Sequence, residues 1–210
     1  MEQEFKRAKS KENKQIRLQQ IMDITDKLFH ETTYHQVTLS VIAKEMGMAR
    51  GGLYKYVSSV EDIFLMIYLQ KQKKMIEEVL NSLKDKEITV DIFSEIWSQC
   101  ILNNIDLIKY HQILNAIIET NTTLDMLVEF KKTSNKDQKP LFQVIESLTG
   151  YDQPKIFDIY LAIIYHCVYL YDRVFFQDRY VEAMKMANLD IIEIDFVSEC
   201  SSFIKTYMKR

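Results

Sequence analysis

Glycine and proline are scarce: four and two residues in a chain of 210, where average usage gives roughly 15 and 10. Tight turns draw on both, so a β-sandwich, a barrel or a doubly wound α/β fold lacks its punctuation here. What remains is an all-α fold of long helices joined by short connections. Long apolar runs are missing as well, and none approaches the ~18 residues of a membrane span. The first 14 residues are charged, with no apolar signal core. That predicts a cytoplasmic protein with no membrane partner. The three cysteines, Cys100, Cys167 and Cys200, are odd in number and far apart, which predicts reduced, buried thiols rather than a disulfide framework.

Chemical signatures are equally thin. The four histidines (His30, His35, His111, His166) do not cluster, and no HExxH or paired Cys/His spacing occurs. The glycines at 47, 51, 52 and 150 cannot write a dinucleotide fingerprint or a phosphate loop. No serine nucleophile elbow is present. The sequence therefore predicts no metal, no cofactor and no enzyme.

Charge is present but unevenly spread. The net charge of −3 divides into +3 over residues 1–60 and −6 over the rest. The first 17 residues carry Lys6, Arg7, Lys9, Lys11, Lys14 and Arg17. A basic arm leading an acidic body suits a polyanionic partner, and Lys14 and Arg17 join the candidate nucleic-acid contacts on that ground.

Helical periodicity predicts a first helix over 14–31, with Ile21, Ile24, Thr25 and Leu28 on one face. Thr38 stands as an N-cap ahead of Leu39, Ile42, Ala43 and Met46, and Gly47 ends that short helix. A third short helix runs through Tyr54. Ser58 with Glu61, and Ser59 with Asp62, pattern as capping boxes for a helix reaching about residue 81, and 84–87 reads as a break. Beyond it, Ile92 to Cys100 and Ile105 to Ile117 mark two helices, 120–123 a loop, and Leu124 a new start. Residues 131–139 read as a polar surface connection, and Leu141 to Leu148 as a stripe ended by Gly150. A helix opened by Pro154 and running to Phe175 is apolar nearly all round, which predicts burial on every face. Asp190 is the expected cap of a last helix bearing Phe196, Cys200, Phe203 and Tyr207.

Residues 38–57 thus read as a helix, a glycine turn and a second helix, a helix-turn-helix. Leu39, Ile42 and the small Ala43 pack the first helix. Leu53 anchors the second and leaves Arg50, Gly51, Tyr54 and Lys55 outward, where such a helix can enter the major groove of DNA. The spaced set Arg17, Ile21, Leu28-Phe29, Thr38, Ile42-Ala43, Gly47, Gly51-Gly52-Leu53-Tyr54-Lys55-Tyr56 and Ser59-x-Glu61 resembles the DNA-binding domain of the tetracycline-repressor (TetR/AcrR) family over about residues 15–75. The resemblance implies a homodimeric bacterial transcription factor, released from its operator by a small molecule bound in the C-terminal domain, here 76–210. It also implies that Thr38 caps its helix and contacts a phosphate, that Arg50, Gly51, Tyr54 and Lys55 lie on the recognition helix, and that Tyr56 follows against the DNA backbone. The chain departs from the family pattern at Ala49, where a serine cap is usual, at Gly52 and at Val60. Ala49 forgoes about 1 kcal/mol of capping, and each glycine weakens its helix by up to ~1 kcal/mol.

In the C-terminal part, Trp97, Tyr110, His111, Tyr165 and Tyr169 are polar-tipped aromatics among apolar residues. They read either as core and interface packing or as the lining of a pocket for an aromatic or lipophilic effector. Tyr160, Phe196, Phe203 and Tyr207 are the candidate dimer-interface residues. The resulting expectation is a homodimeric repressor on a pseudo-palindromic operator of double-stranded DNA. An activator or a ligand-independent regulator fits the same residues; an all-helical enzyme or binding protein fits them less well, for want of a catalytic constellation.

Overall fold

The computed structural model describes residues 2–175 and 178–209, with side chains from Glu12 onward. The arm cations Lys6, Arg7, Lys9 and Lys11 lie outside the described side chains. Among the described residues every regular element is helical. The helices are α1 (Glu2–Glu31), α2 (Leu39–Glu45), α3 (Arg50–Leu53), α4 (Val60–Leu83), α5 (Val90–Asn103), α6 (Asp106–Ile113), α7 (Glu119–Asn121), α8 (Leu124–Thr149), α9 (Gln153–Phe175), α10 (Asp178–Met186) and α11 (Phe196–Met208). A 3₁₀ turn spans Tyr34–Gln36, and a π turn, Leu114–Ile118, joins α6 to α7.

The chain forms two compact units. One holds the residues up to Leu69 together with Leu114–Lys131; the other holds Gln70–Ile113 and the chain from Lys132 on. The first takes its core from Ile21, Met22, Thr25 and Phe29 of α1, Ile42 and Ala43 of α2, Leu53, and Ile63 and Phe64 of α4, all buried. Phe29 and Phe64 meet edge to face at 5.0 Å, and Tyr68 meets Phe130 in the same way at 5.7 Å. The buried face of α1 is thus centred on Met22 and Phe29, with Ile24 and Leu28 at its edges. Gly47, at φ +64°, turns the chain from α2 toward α3, a conformation that costs glycine little.

In the second unit α11 packs on α5 and α9, and α6 packs on α9. Phe93, Trp97 and Ile101 of α5 are buried, as are Ile156, Tyr160, Ile163 and Cys167 of α9 and Cys200 and Ile204 of α11.

Three expectations are corrected here. Residues 131–139 are not a surface connection but the middle of α8, which carries Pro140 inside it. The buried face of α8 runs through Phe130, Ser134, Gln138 and Leu141, so its two central positions are polar. They are tolerated because they are hydrogen bonded: Ser134 Oγ donates to Gln72 Oε1 at 3.0 Å, and Gln72 Nε2 donates to the Tyr160 hydroxyl at 3.3 Å. The cap of α11 is Asp195, whose carboxylate accepts from Ser198 N at 2.7 Å, while Asp190 lies in the irregular stretch before it. The all-round burial expected of α9 also fails in the single chain, where Phe157, Tyr165 and Tyr169 are exposed.

Ser134→Ala would leave the buried Gln72 carbonyl without its donor. The expected loss is about 1–3 kcal/mol in urea unfolding. Removing the exposed Ser147 hydroxyl should shift stability by no more than about 0.5 kcal/mol.

Candidate nucleic-acid interface

The first unit presents a concavity of about 420 Å³ whose wall includes Tyr34, Thr38, Arg50, Tyr54, Ser59 and Glu61. Local hydrogen bonding builds it. Thr38 caps α2, its hydroxyl accepting from Val41 N at 3.2 Å. At the start of α4 the working capping pair is Ser59 with Asp62: Ser59 Oγ accepts from Asp62 N at 3.1 Å, and Asp62 Oδ2 accepts from the amides of Ser58 and Ser59 at 3.0 and 3.2 Å. Ser58 and Glu61 do not pair as expected. Glu61 instead accepts from the Tyr34 hydroxyl at 2.5 Å, and burial together with that carboxylate drives the Tyr34 phenol far above its ordinary pKa. The other oxygen of Asp62 accepts from Thr122 Oγ1 at 2.8 Å, tying the segment after α7 to the start of α4.

Two helix N-termini, those of α2 and α4, therefore border one hollow, with the partial positive charge that helix starts carry. Arg50 adds a full charge and lies 5.8 Å from the Tyr54 ring centroid. Glu61 is the opposing charge on the wall. The arrangement suits a group held at the surface, such as a phosphate, better than a buried organic ligand, because the hollow is open and Arg50 stands on its wall.

α3 itself is one turn long and has no side-chain cap at Ala49. Leu53, fully buried, fastens it. A Cβ on Gly52 would come within 2.7 Å of Met48 Cε, so the Met48 tip fills the space that a larger residue there needs.

The sequence-derived contact residues are partly gathered. Thr38, Arg50 and Tyr54 share the concavity. Gly51 and Lys55 are exposed and Tyr56 is half-buried, on or just after α3. Lys14 and Arg17 are exposed on α1, outside the concavity wall. Tyr34 and Ser59 belong to the wall and were missing from the sequence-derived set; the Ser59-x-x-Asp62 pattern was the signal for the latter.

In the second unit the five effector-contact candidates differ in exposure and surroundings. Trp97 is fully buried and stacks over Tyr160 at 6.1 Å. Tyr110 is buried with Lys71 Nζ 5.5 Å from its ring centroid. His111 meets Tyr165 at 5.3 Å, but Tyr165 and Tyr169 stand on the outer face of α9 at 48% and 53% exposure. The interface candidates also divide. Tyr160 and Phe196 are 1% and 3% exposed in the single chain, so they are core residues of the protomer and not part of an outer face. Phe203 and Tyr207 do lie on an aromatic strip: His166 stacks on Phe203 at 3.8 Å, Phe203 on Tyr207 at 4.6 Å, and His166 lies 5.9 Å from Tyr169.

A helix-turn-helix with an open hollow beside its second helix, followed by a helical bundle, defines a DNA-binding regulator by class. The model for bacterial regulatory proteins of the tetR family matches residues 21–67, and that for the tetracyclin repressor-like C-terminal domain matches 69–209. The chain belongs to the tetracycline-repressor family of transcriptional regulators. A stretch of 73 residues is 34% identical to the fatty acid metabolism regulator protein of Bacillus subtilis (strain 168), spanning 35% of this chain and only 38% of that protein. The fold is shared with the fatty acid degradation regulator FadR from Bacillus halodurans (TM-score 0.53, 17% identity, 91% of this chain and 94% of that one). It is shared also with FadR from Bacillus subtilis in complex with stearoyl-CoA (TM-score 0.52, 19% identity, 90% and 97%). A tetR family regulator from Shewanella sp. PV-4 aligns at TM-score 0.59 with 14% identity over 91% and 97% of the two chains. Among the described residues no single helix is long and apolar enough to cross a membrane.

Burial lowers the pKa of His166, against an opposing pull from Glu199. The folded chain then binds a proton there more weakly than the unfolded chain. Stability should fall as pH drops below about 6.5, the ordinary imidazole value. His166→Phe should flatten that part of a melting-temperature profile measured between pH 7.5 and 5; an unchanged slope would remove His166 from the account.

Proposed function

We propose that the chain is a homodimeric repressor, bound to a pseudo-palindromic operator through α3 and released by a long-chain acyl-CoA. Residues 15–75 form its DNA-binding domain and residues 76–210 its effector-binding and dimerisation domain. The observation that carries the DNA reading is the shared concavity of Thr38, Arg50, Tyr54 and Ser59, set between two helix N-termini. α3 enters the major groove with Arg50, Gly51, Tyr54 and Lys55 toward the bases or the adjacent backbone. The hollow beside it receives a phosphate, with Arg50 supplying charge and the Ser59 hydroxyl free to donate outward. Tyr56, Lys14 and Arg17 add backbone contacts at the edge.

The dimer face is the strip of Tyr169, His166, Phe203 and Tyr207 with its neighbour Tyr165. An aromatic ladder of this extent exposed to water is more stable when covered, and a two-fold axis lets one strip cover another. The effector class is supported by the resemblance to fatty-acid regulators, one of them solved with stearoyl-CoA. Cytoplasmic location and the absence of a membrane partner follow from the same reading.

Selection from random duplexes with the full chain should return an inverted repeat, bound with strong salt dependence. On that site Arg50→Ala should cost roughly 1–3 kcal/mol, with relaxed preference at one base position of each half-site. Equal weakening on all sequences would make Arg50 a phosphate contact only. Phe203→Asp should convert the dimer to monomer in sedimentation and abolish operator binding with it; a dimer that survives the change uses another face. Stearoyl-CoA, but neither free CoA nor stearate, should release the selected duplex in fluorescence anisotropy. If all three leave the complex intact, the effector class is wrong and the DNA reading still stands.

A further inference from the structure

Cys167 lies in the middle of α9 and Cys200 near the start of α11, and their sulfurs are 3.5 Å apart. Both thiols are free and fully buried. A disulfide needs about 2.05 Å, so closure asks for a shift of about 1.5 Å between two helices already in contact. We propose that Cys167 and Cys200 are a redox-active pair, which a hydroperoxide oxidises to an intrachain disulfide that locks α9 to α11.

Either sulfur can begin the reaction, because either can donate the hydrogen bond between them. In the first step the sulfur of one cysteine attacks the hydroperoxide; the O–O bond breaks, an alcohol or water leaves, and that cysteine becomes a sulfenic acid. In the second the other sulfur attacks the sulfenic sulfur; the S–S bond forms and water departs with the second thiol's proton. The thiols lose two electrons, and these are the two that cleave the peroxide bond. Because the pair is buried, the oxidant enters during local opening of the helices, and a small uncharged peroxide enters most readily. Cys100 makes a contrast within the same unit: burial, with Glu78 alongside, pushes its thiol up to about 11.

The lock sits directly beneath the aromatic strip. His166 adjoins Cys167 in sequence and stacks on Phe203 at 3.8 Å, and Phe203 follows Cys200 by less than one turn of α11. The cross-link therefore sets the register of the two helices that carry the strip.

The test treats the full-length reduced protein with hydrogen peroxide, then unfolds it and labels the remaining thiols with a maleimide. The expected result is one label on a chain that carried three before oxidation. A single cross-linked peptide should join Cys167 to Cys200, Cys100 should carry the label, the melting temperature should rise, and dithiothreitol should reverse all of this. Cys100→Ser should still form the cross-link, whereas Cys167→Ser and Cys200→Ser should not. If either of the last two fails to fold, the wild-type peptide map and Cys100→Ser decide the matter alone. Three labels after peroxide, loss of Cys100 first, a cross-link between chains, or an unchanged melting temperature would each overturn the proposal.

Discussion

The first unit depends on one buried carboxylate. Asp62 is 3% exposed, and a charge removed from water needs a partner for each lone pair it presents. One oxygen takes the amides of Ser58 and Ser59, and the other takes the Thr122 hydroxyl. Those bonds fix the start of α4, shape the rim of the concavity, and pin the chain that emerges from the π turn and α7. Segment 114–131 is distant in sequence from the helix-turn-helix yet belongs to the same unit. Thr122 and the Ser58–Ser59 rim are thus held through a single side chain.

Much of this was legible in the sequence. The scarcity of glycine and proline left only helices, and Thr38, Gly47 and Leu53 marked the helix-turn-helix because capping, left-handed turning and anchoring each select few residue types. The pattern failed where burial and polarity part company. Ser134 and Gln138 face inward on α8 because the Gln72 and Tyr160 groups meet them there, and no periodicity of apolar residues can signal a buried polar stripe. Asp190 failed as a cap for a simpler reason: Asp195 offers the same carboxylate five residues later, directly ahead of Phe196. In the candidate site, Arg50 and Tyr54 were readable from their place on an exposed turn. Tyr34 was not, because its role depends on Glu61, 27 positions away.

Aromatic residues in the second unit show how far composition alone can carry an assignment. Trp97, Tyr160 and Tyr165 look alike as sequence symbols, yet two are sealed and one stands at 48% exposure. What separates them is helical phase: Tyr160 turns toward Trp97 of α5 and Phe142 of α8, whereas Tyr165, on the same helix, meets His111 of α6 and stays half open, and that becomes visible only once those neighbours are placed. The distinction moves Tyr160 from the outer face to the core, where its hydroxyl closes a hydrogen-bond chain, and leaves Phe203 and Tyr207 as the residues that water meets.

The brevity of α3 has a thermodynamic consequence. A single turn with two adjacent glycines, no side-chain cap and one buried anchor has little helical stability of its own, so its order depends on the Leu53 anchor and on whatever the turn docks against. In the proposed complex, docking into a groove would order the turn, and association would carry an ordering entropy that a rigid recognition helix avoids. Part of the sequence discrimination would then arise from the folding of the reader and not solely from the bases it touches.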